Sequence, residues 1–276
     1  MGNNFRFLTV EHHGAVATVT LARPEFRNAF NAALIDELTR CFAALGALDG
    51  GGRDTTRAVV LTGAGAAFSA GADLNGMRAS LELTPEENIA DAERLAMLFE
   101  TIDRCPLPVV ARVNGAAIGG GVGLVAVCDI AIAVAGARFA FSETKLGIAP
   151  AVIAPYVLRA IGESHARALF LTGARFDAVR AREIGLIHHV VTPNELDAAV
   201  NEQLALLLSS GPTAIAAAKE LLRALRSLDR AGARRETAAT IARLRTGAEG
   251  QEGIRAFLEK REASWVRTVE DDSSSA

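Results

Sequence analysis

The stretch that most constrains this chain is ARVNGAAIGGGVGLVAVCDIAIA, residues 111–133. An apolar pair, Val109-Val110, leads into a turn signal at Asn114-Gly115. Three consecutive glycines follow, Gly119, Gly120 and Gly121, with a fourth at Gly123. Val122 to Val127 carries no charge, Asp129 interrupts, and Ile130 to Val134 is apolar again. The pattern predicts a strand, a glycine cluster, a short buried helix and another buried strand. Glycine lacks a Cβ and lets another group approach its backbone. A helix starting at the cluster aims unpaired N–H groups at whatever stands before it. That suits a negative charge developing on oxygen. Tight packing of a helix on a sheet accounts for the same glycines equally well. A dinucleotide fingerprint is not met: G-x-G-x-x-G from Gly119 would end at Leu124, and from Gly121 at Ala126.

With 276 residues, half of them hydrophobic, the chain suffices for one large domain or a domain plus an appendage. A net charge of −3 gives no global attraction to nucleic acid. Cys41, Cys105 and Cys128 share no metal-ligand spacing and fit a reduced cytoplasmic protein. The N-terminus lacks a secretory pattern, and no apolar run reaches the ~20 residues that cross a bilayer.

In chain order, Phe5 to Leu21 predicts two strands joined at His13-Gly14, and Asn28 to Leu48 a helix closed by Gly50-Gly51-Gly52. Arg57 to Thr62 is a short buried strand. Gly76 to Leu83 is expected to loop. Thr84 as N-cap and Pro85 at the first helical position open a helix reaching about Asp103. Val109 to Arg112 and Arg138 to Ser142 are strands, with a turn from Glu143 to Gly147. Helices are expected over 155–161 and 164–171. Ala178 to Ile184 leads to Gly185-Leu186-Ile187, and His188 to Val191 is a terminal strand. Beyond Pro193 only helices are expected, up to a disordered tail, Glu270 to Ala276. Residues 1–193 thus form an α/β core and 194–276 a helical region.

Two loops rich in glycine and poor in reactive side chains follow buried strands: Ala70-Gly71-Ala72-Asp73 and Gly119-Gly120-Gly121. Sites built from backbone N–H donors have this composition. Glu143 is the carboxylate that stands out, after a short apolar strand and before a turn. On local sequence alone a surface glutamate paired with Lys145 is the simpler reading. The histidines have no metal spacing and read as structural. Phe68-Ser69-Ala70-Gly71 approximates a serine nucleophile elbow, and Asp177 and His188 follow in hydrolase order. The elbow needs a helix directly after it, and Ala72 to Gly76 reads as a poor helix start.

Taken together, the segments resemble the enoyl-CoA hydratase/isomerase (crotonase) superfamily. The resemblance rests on Leu21-Ala22-Arg23-Pro24 with Asn28-Ala29, on Ala67 to Leu74, on Val113-Asn114-Gly115 through the glycine triplet to Cys128-Asp129, and on Phe141-Ser142-Glu143 with Leu146-Gly147. Thr172-Gly173 with Ala181, and Gly185-Leu186 with Val190-Val191, extend it. The wording around 120–129 and 147–157 is most similar to bacterial methylglutaconyl-CoA hydratases.

The resemblance implies an α/β fold, a spiral of strand–strand–helix turns, followed by helices that build a homotrimer or a dimer of trimers. It implies an acyl-CoA thioester as substrate, with no metal and no cofactor beyond the coenzyme A that the substrate carries. It implies no nucleic-acid or membrane partner. It assigns the oxyanion N–H donors to Ala72 and Gly120, and acid/base work to Glu143. Coenzyme A contacts map onto Phe26, Arg27, Ala70, Asp73, Leu74, Phe257 and Lys260, the last two facing a neighbouring subunit's ligand. The best-known hydratases use two glutamates, and the first maps onto Gly123. Three activities therefore stay open: a one-glutamate hydratase, a double-bond isomerase, and a non-catalytic acyl-CoA binder.

Overall fold

A computed structural model of the chain describes residues 5–47 and 56–269. Leu48, the Gly50–Gly52 cluster and the 270–276 tail lie outside the described residues. Strands β1 (Leu8–His13) and β2 (Val16–Leu21) form an antiparallel hairpin, turning at Gly14 with φ +52°. Alternation of apolar and small polar residues on β2 suits the pleat. Helix α1 (Ala32–Gly46) buries Leu34, Leu38, Phe42 and Leu45 on one face. Its start lies four residues after the expected Asn28. Asn28 has φ +57°, and the Asn31 side chain caps the helix by accepting from Leu34 N.

Strand β3 (Ala58–Gly63) is wholly buried, and β4 (Ala67–Ser69) follows it. The expected loop over 76–83 is instead mostly helix α2 (Leu74–Ser80). Asp73 is its N-cap, with Oδ1 accepting from Asn75 N at 2.7 Å. That cap lets the chain begin a helix where Gly76 argues against one. Helix α3 (Pro85–Arg104) opens on the expected Thr84 with a full Thr84–Glu87 capping box.

Strand β5 (Val109–Val113), β6 (Ala116–Ile118) and helix α4 (Gly120–Val127) bring the chain to β7 (Ile130–Val134) and β8 (Arg138–Ala140). A 3-10 turn, Glu143–Leu146, precedes α5 (Ala154–Thr172), which is kinked at Gly162 with φ +72°. The kink separates the two helices expected there. Strand β9 (Arg175–Asp177), helix α6 (Ala178–Glu183) and strand β10 (His189–Val191) complete the α/β part.

Six strands form one sheet in the order β1-β2-β3-β5-β7-β10, parallel apart from the first hairpin. The short strands β4, β6, β8 and β9 form a second sheet. Most of this second sheet has no clear sequence signal, because three-residue strands are too short to display a period. Each turn of the chain lays one long strand in the first sheet and one short strand in the second, which is the expected spiral. The core between the layers includes Phe42, Phe68, Phe99, Phe139 and Phe141, all fully buried.

After β10 the chain carries helices α7 (Leu196–Ser209), α8 (Pro212–Ala224), α9 (Arg230–Thr246) and α10 (Ala248–Leu258), while 259–269, also expected to be helical, form turns and irregular chain. Polar side chains pin this region to the core. Lys219 Nζ bonds Asp129 Oδ2 at 2.6 Å and Leu107 O at 2.8 Å. Arg57 donates to Trp265 O and Ser210 O. Among the described residues no helix is long and apolar enough to cross a membrane.

Candidate active site

The two glycine loops converge. A Cβ built on Gly71 would lie 2.5 Å from Ile118 O and 3.4 Å from Gly120 N. Gly71 has φ +81° and Gly119 φ +53°, backbone that a glycine adopts without a Cβ clash. The absence of a side chain at Gly71 is therefore what allows the contact.

Residues 70–73 are zipped to the segment before α1. Ala70 N donates to Arg27 O at 2.9 Å, Phe30 N to Gly71 O at 2.6 Å, and Asp73 N to Phe30 O at 2.9 Å. Phe30 and Ala72 form a parallel bridge. In such a bridge the residue flanked by the two bonds turns its own N–H and C=O to the other side. Ala72 N–H therefore points away from Phe30.

Gly120 is the first residue of α4. Gly119 N donates to Ala140 O, while Val122 N and Gly123 N donate to Gly119 O. Among the described residues no acceptor within the protein is found for Ala72 N–H or Gly120 N–H. The Phe30 ring packs on Gly120, where a Cβ would lie 2.7 Å from ring Cε2. Two unpaired N–H groups on converging loops, Ala72 exposed and Gly120 half-buried, can hold one oxygen as it gains negative charge.

Glu143 stands beside Gly119, the residue before Gly120. A Cβ on Gly119 would be 3.0 Å from Glu143 Oε1. Glu143 Oε2 is buried and has no hydrogen-bond partner. Burial raises its pKa above the ordinary carboxylate value, and its own backbone N–H opposes the shift. The expected alternative, a pair with Lys145, is not found among the described residues: Oε2 has no partner and the Lys145 side chain packs at Gly173. Gly123 faces a filled space. A Cβ there would meet Ile153 Cγ2 and would lie 2.9 Å from Phe99 Cε1 and Cζ.

The coenzyme A candidates divide by burial. Phe26 is 48% exposed, Leu74 78% and Phe257 82%. Arg27 and Lys260 both have positive φ, at +51° and +55°. Ala70 lies on the rim of the N–H loop. Asp73 differs from the others. Its carboxylate is buried, with Oδ2 on Arg23 Nη2 at 2.8 Å and Oδ1 on Asn75 N. Burial alone would raise its pKa, but the bonds from Arg23 and Asn75 outweigh burial and lower it. The Asp73 side chain thus serves the loop. Sequence reasoning missed Arg23 as its partner, because the two are far apart in the chain.

The hydrolase alternative fails on geometry, though for a different reason than expected. A helix does follow Ser69, after only a few residues. But Ser69 is fully buried, donates to Asn28 O at 2.9 Å and accepts from Gly71 N. Asp177 caps α6 through Arg180 N, and His188 Nδ1 accepts from Ala131 N at 2.9 Å. Neither reaches Ser69 as a triad partner. A surface cleft of about 520 Å³ between α3, α5 and α8 is bordered by Arg159, Arg223 and Arg226. All three are engaged with Asp103, and none belongs to the candidate site. Among the described residues no group of His, Cys, Asp and Glu has the arrangement of a metal site.

Comparison with known proteins shows the family. The enoyl-CoA hydratase/isomerase family model matches residues 11–268. A Thermus thermophilus relative is 38% identical over 251 residues, covering 90% of this chain and 96% of its own. The crystal structure of an enoyl-CoA hydratase from Shewanella pealeana superposes with TM-score 0.90 at 40% identity, covering 95% of this chain and 97% of that one. An enoyl-CoA hydratase/isomerase structure from Marinobacter aquaeolei gives TM-score 0.88 at 33% identity, covering 95% and 99%. None of these names specifies an acyl group. Sheet order, converging N–H loops and sequence match together make this chain a member of the enoyl-CoA hydratase/isomerase (crotonase) family.

Proposed function

We propose that the protein adds water to a 2-enoyl-CoA, with a branched methylglutaconyl-type thioester as the leading substrate. The thioester carbonyl accepts from Ala72 N–H and Gly120 N–H and becomes enolate-like as the β-carbon takes oxygen. Glu143 takes a proton from the attacking water and returns one to the α-carbon. One carboxyl group can both accept and donate in a single cyclic passage. The observation that carries this reading is the Glu143 carboxylate, with Oε1 against Gly119, the residue before Gly120, and Oε2 buried without a partner. Its raised pKa keeps the donor form accessible closer to neutrality.

The second reading, a double-bond isomerase, is favoured by Gly123. Ile153 and Phe99 fill the space that a second carboxylate would need. Moving one proton between two carbons requires only one base. The experiment is a panel of straight and branched enoyl-CoA thioesters, followed by absorbance of the conjugated double bond and by product mass. Hydration adds the mass of water and isomerisation does not. Binding of acyl-CoA without turnover of any member would leave the non-catalytic binder.

No cofactor or metal is needed for either chemistry. Phe26, Arg27, Ala70, Leu74, Phe257 and Lys260 are the candidate coenzyme A contacts, and Asp73 acts by shaping the loop. We assign the helical region after Pro193 to assembly into a trimer or a dimer of trimers. Residues 85–94 of α3 are exposed on every face, as are Phe257 and Leu258 of α10, which suits cover by a neighbouring copy. Buried, unpaired Cys41, Cys105 and Cys128 suit a reducing cytoplasm.

A further inference from the structure

Arg23 lies almost wholly inside the protein and touches both the Asp73 end of the Ala72 loop and the Phe26 ring. Its guanidinium has three kinds of contact. Nη2 bonds Asp73 Oδ2 at 2.8 Å and Nη1 bonds Ala29 O at 2.5 Å. The guanidinium carbon stands 4.7 Å from the Phe26 ring centroid and 5.1 Å from that of Phe7. Nε is buried and unbonded. Asp73 directly follows Ala72, whose N–H is one of the two oxyanion donors. Phe26 is half exposed and is a candidate coenzyme A contact.

The backbone between these contacts is held in an unusual shape. Arg27 and Asn28 are consecutive non-glycine residues with φ of +51° and +57°, in the left-handed region, which asparagine tolerates and an arginine keeps only where its surroundings hold it. Asn28 supplies that hold: Oδ1 accepts from Arg23 N, and Nδ2 donates to Ala64 O and Ala67 O. The same segment carries the Arg27 and Phe30 bonds that fix residues 70–73. A buried ion pair adds little stability over an apolar pair, because desolvation cancels its attraction. Its place beside the Ala70–Asp73 loop points to a role in geometry.

We infer that Arg23 is a positioning residue that couples the nucleotide end of the ligand, at Phe26, to the Ala72 N–H through Asp73. This rests on the acyl-CoA reading above. When the nucleotide end packs on Phe26, the ring is pressed onto the guanidinium, and the guanidinium holds the carboxylate that follows Ala72. A lysine keeps the charge but cannot stack flat and bond two acceptors at once. The coenzyme end of the ligand then contributes to rate as well as to binding, since remote binding energy is used to fix the reacting geometry.

The test compares an enoyl-CoA with the matching enoyl-pantetheine thioester, which lacks the nucleotide. In the wild type, kcat for the CoA thioester should exceed that for the pantetheine thioester by ~10-fold or more, given the ~10²-fold sensitivity of rate to about 1 Å of misplacement. In Arg23→Lys the two kcat values should converge, by loss of the CoA advantage, while KM for the CoA thioester shifts less than about threefold. Phe26→Ala, a substitution at a half-exposed ring, should produce the same convergence and keeps the test valid if Arg23→Lys does not fold. A wild type with equal kcat on both thioesters overturns the coupling, as does a CoA advantage that survives the variant tested. Failure of wild type to bind any acyl-CoA instead overturns the underlying reading, so the two failures are distinguishable.

Discussion

Glu143 Oε1 lies so close to the α-carbon of Gly119 that a methyl group there would stand 3.0 Å from it. The carboxylate is therefore seated against the backbone that presents Gly120 N–H. The proposed acid/base group and the proposed Gly120 donor are thus neighbours in one small constellation. Glu143→Gln keeps this shape and removes the basic oxygen. It should retain binding of acetoacetyl-CoA, measured by calorimetry, and lose turnover by at least ~10²-fold. Near wild-type turnover on the preferred substrate would remove Glu143 from the mechanism.

The same substitution has a stability signature. Burial raises the Glu143 pKa, so the folded chain keeps a proton there at pH values where the unfolded chain has lost it. Stability is greatest below the ordinary glutamate value and declines as pH rises through the window up to the folded value. Glutamine does not ionise and escapes that decline. Glu143→Gln should melt above wild type near neutral pH, with the gap closing as pH falls below the ordinary carboxylate range. A melting gap independent of pH would show that burial of the charge is not its cause.

Gly123→Glu should not create a better hydratase. The new Cβ would press on Ile153 and Phe99, and Phe99 is fully buried. Overpacking of this kind costs about 1–3 kcal/mol, and a carboxylate placed there adds desolvation to it. Urea denaturation should show the loss, and the enoyl-CoA panel should show no gain in rate. A stable, faster variant would mean that the wall yields and that two carboxylates work better here.

Gly71→Ala tests the convergence of the loops. Its Cβ would sit 2.5 Å from Ile118 O at a φ of +81°. The strain is on the order of 1–3 kcal/mol, and relief would push the Ala72 donor from the Gly120 donor. Turnover should fall ~10-fold or more, since misplacing an oxyanion donor approaches its removal, with acyl-CoA affinity less affected. Unchanged turnover would separate Ala72 N–H from the reaction.

Sedimentation tests the assembly. The exposed first half of α3 and the Phe257–Leu258 end of α10 should be covered in a species three or six times the 28.9 kDa chain mass. A stable monomer at micromolar concentration would contradict this. Phe257→Asp should weaken the assembly if that end is buried in it.

Some of this protein was decided by its sequence alone. The two glycine loops, the strands before them, the Thr84–Pro85 helix start and the singular position of Glu143 are local matters. They follow from which residues lack a Cβ, cap a helix or alternate along a strand, and these properties act over a few residues. The tertiary structure decided what those loops face. Only packing brings Gly71 to Gly120, and only packing gives Asp73 to Arg23 instead of leaving it on the surface. Ser69 looks like a nucleophile in a four-residue window and becomes a buried link to Asn28 once the segment before α1 lies beside it. Gly123 is a missing carboxylate in the sequence and, in the fold, a place already filled by Ile153 and Phe99. Each of these outcomes depends on contacts between segments far apart in the chain, and a one-dimensional pattern carries no record of which segments meet.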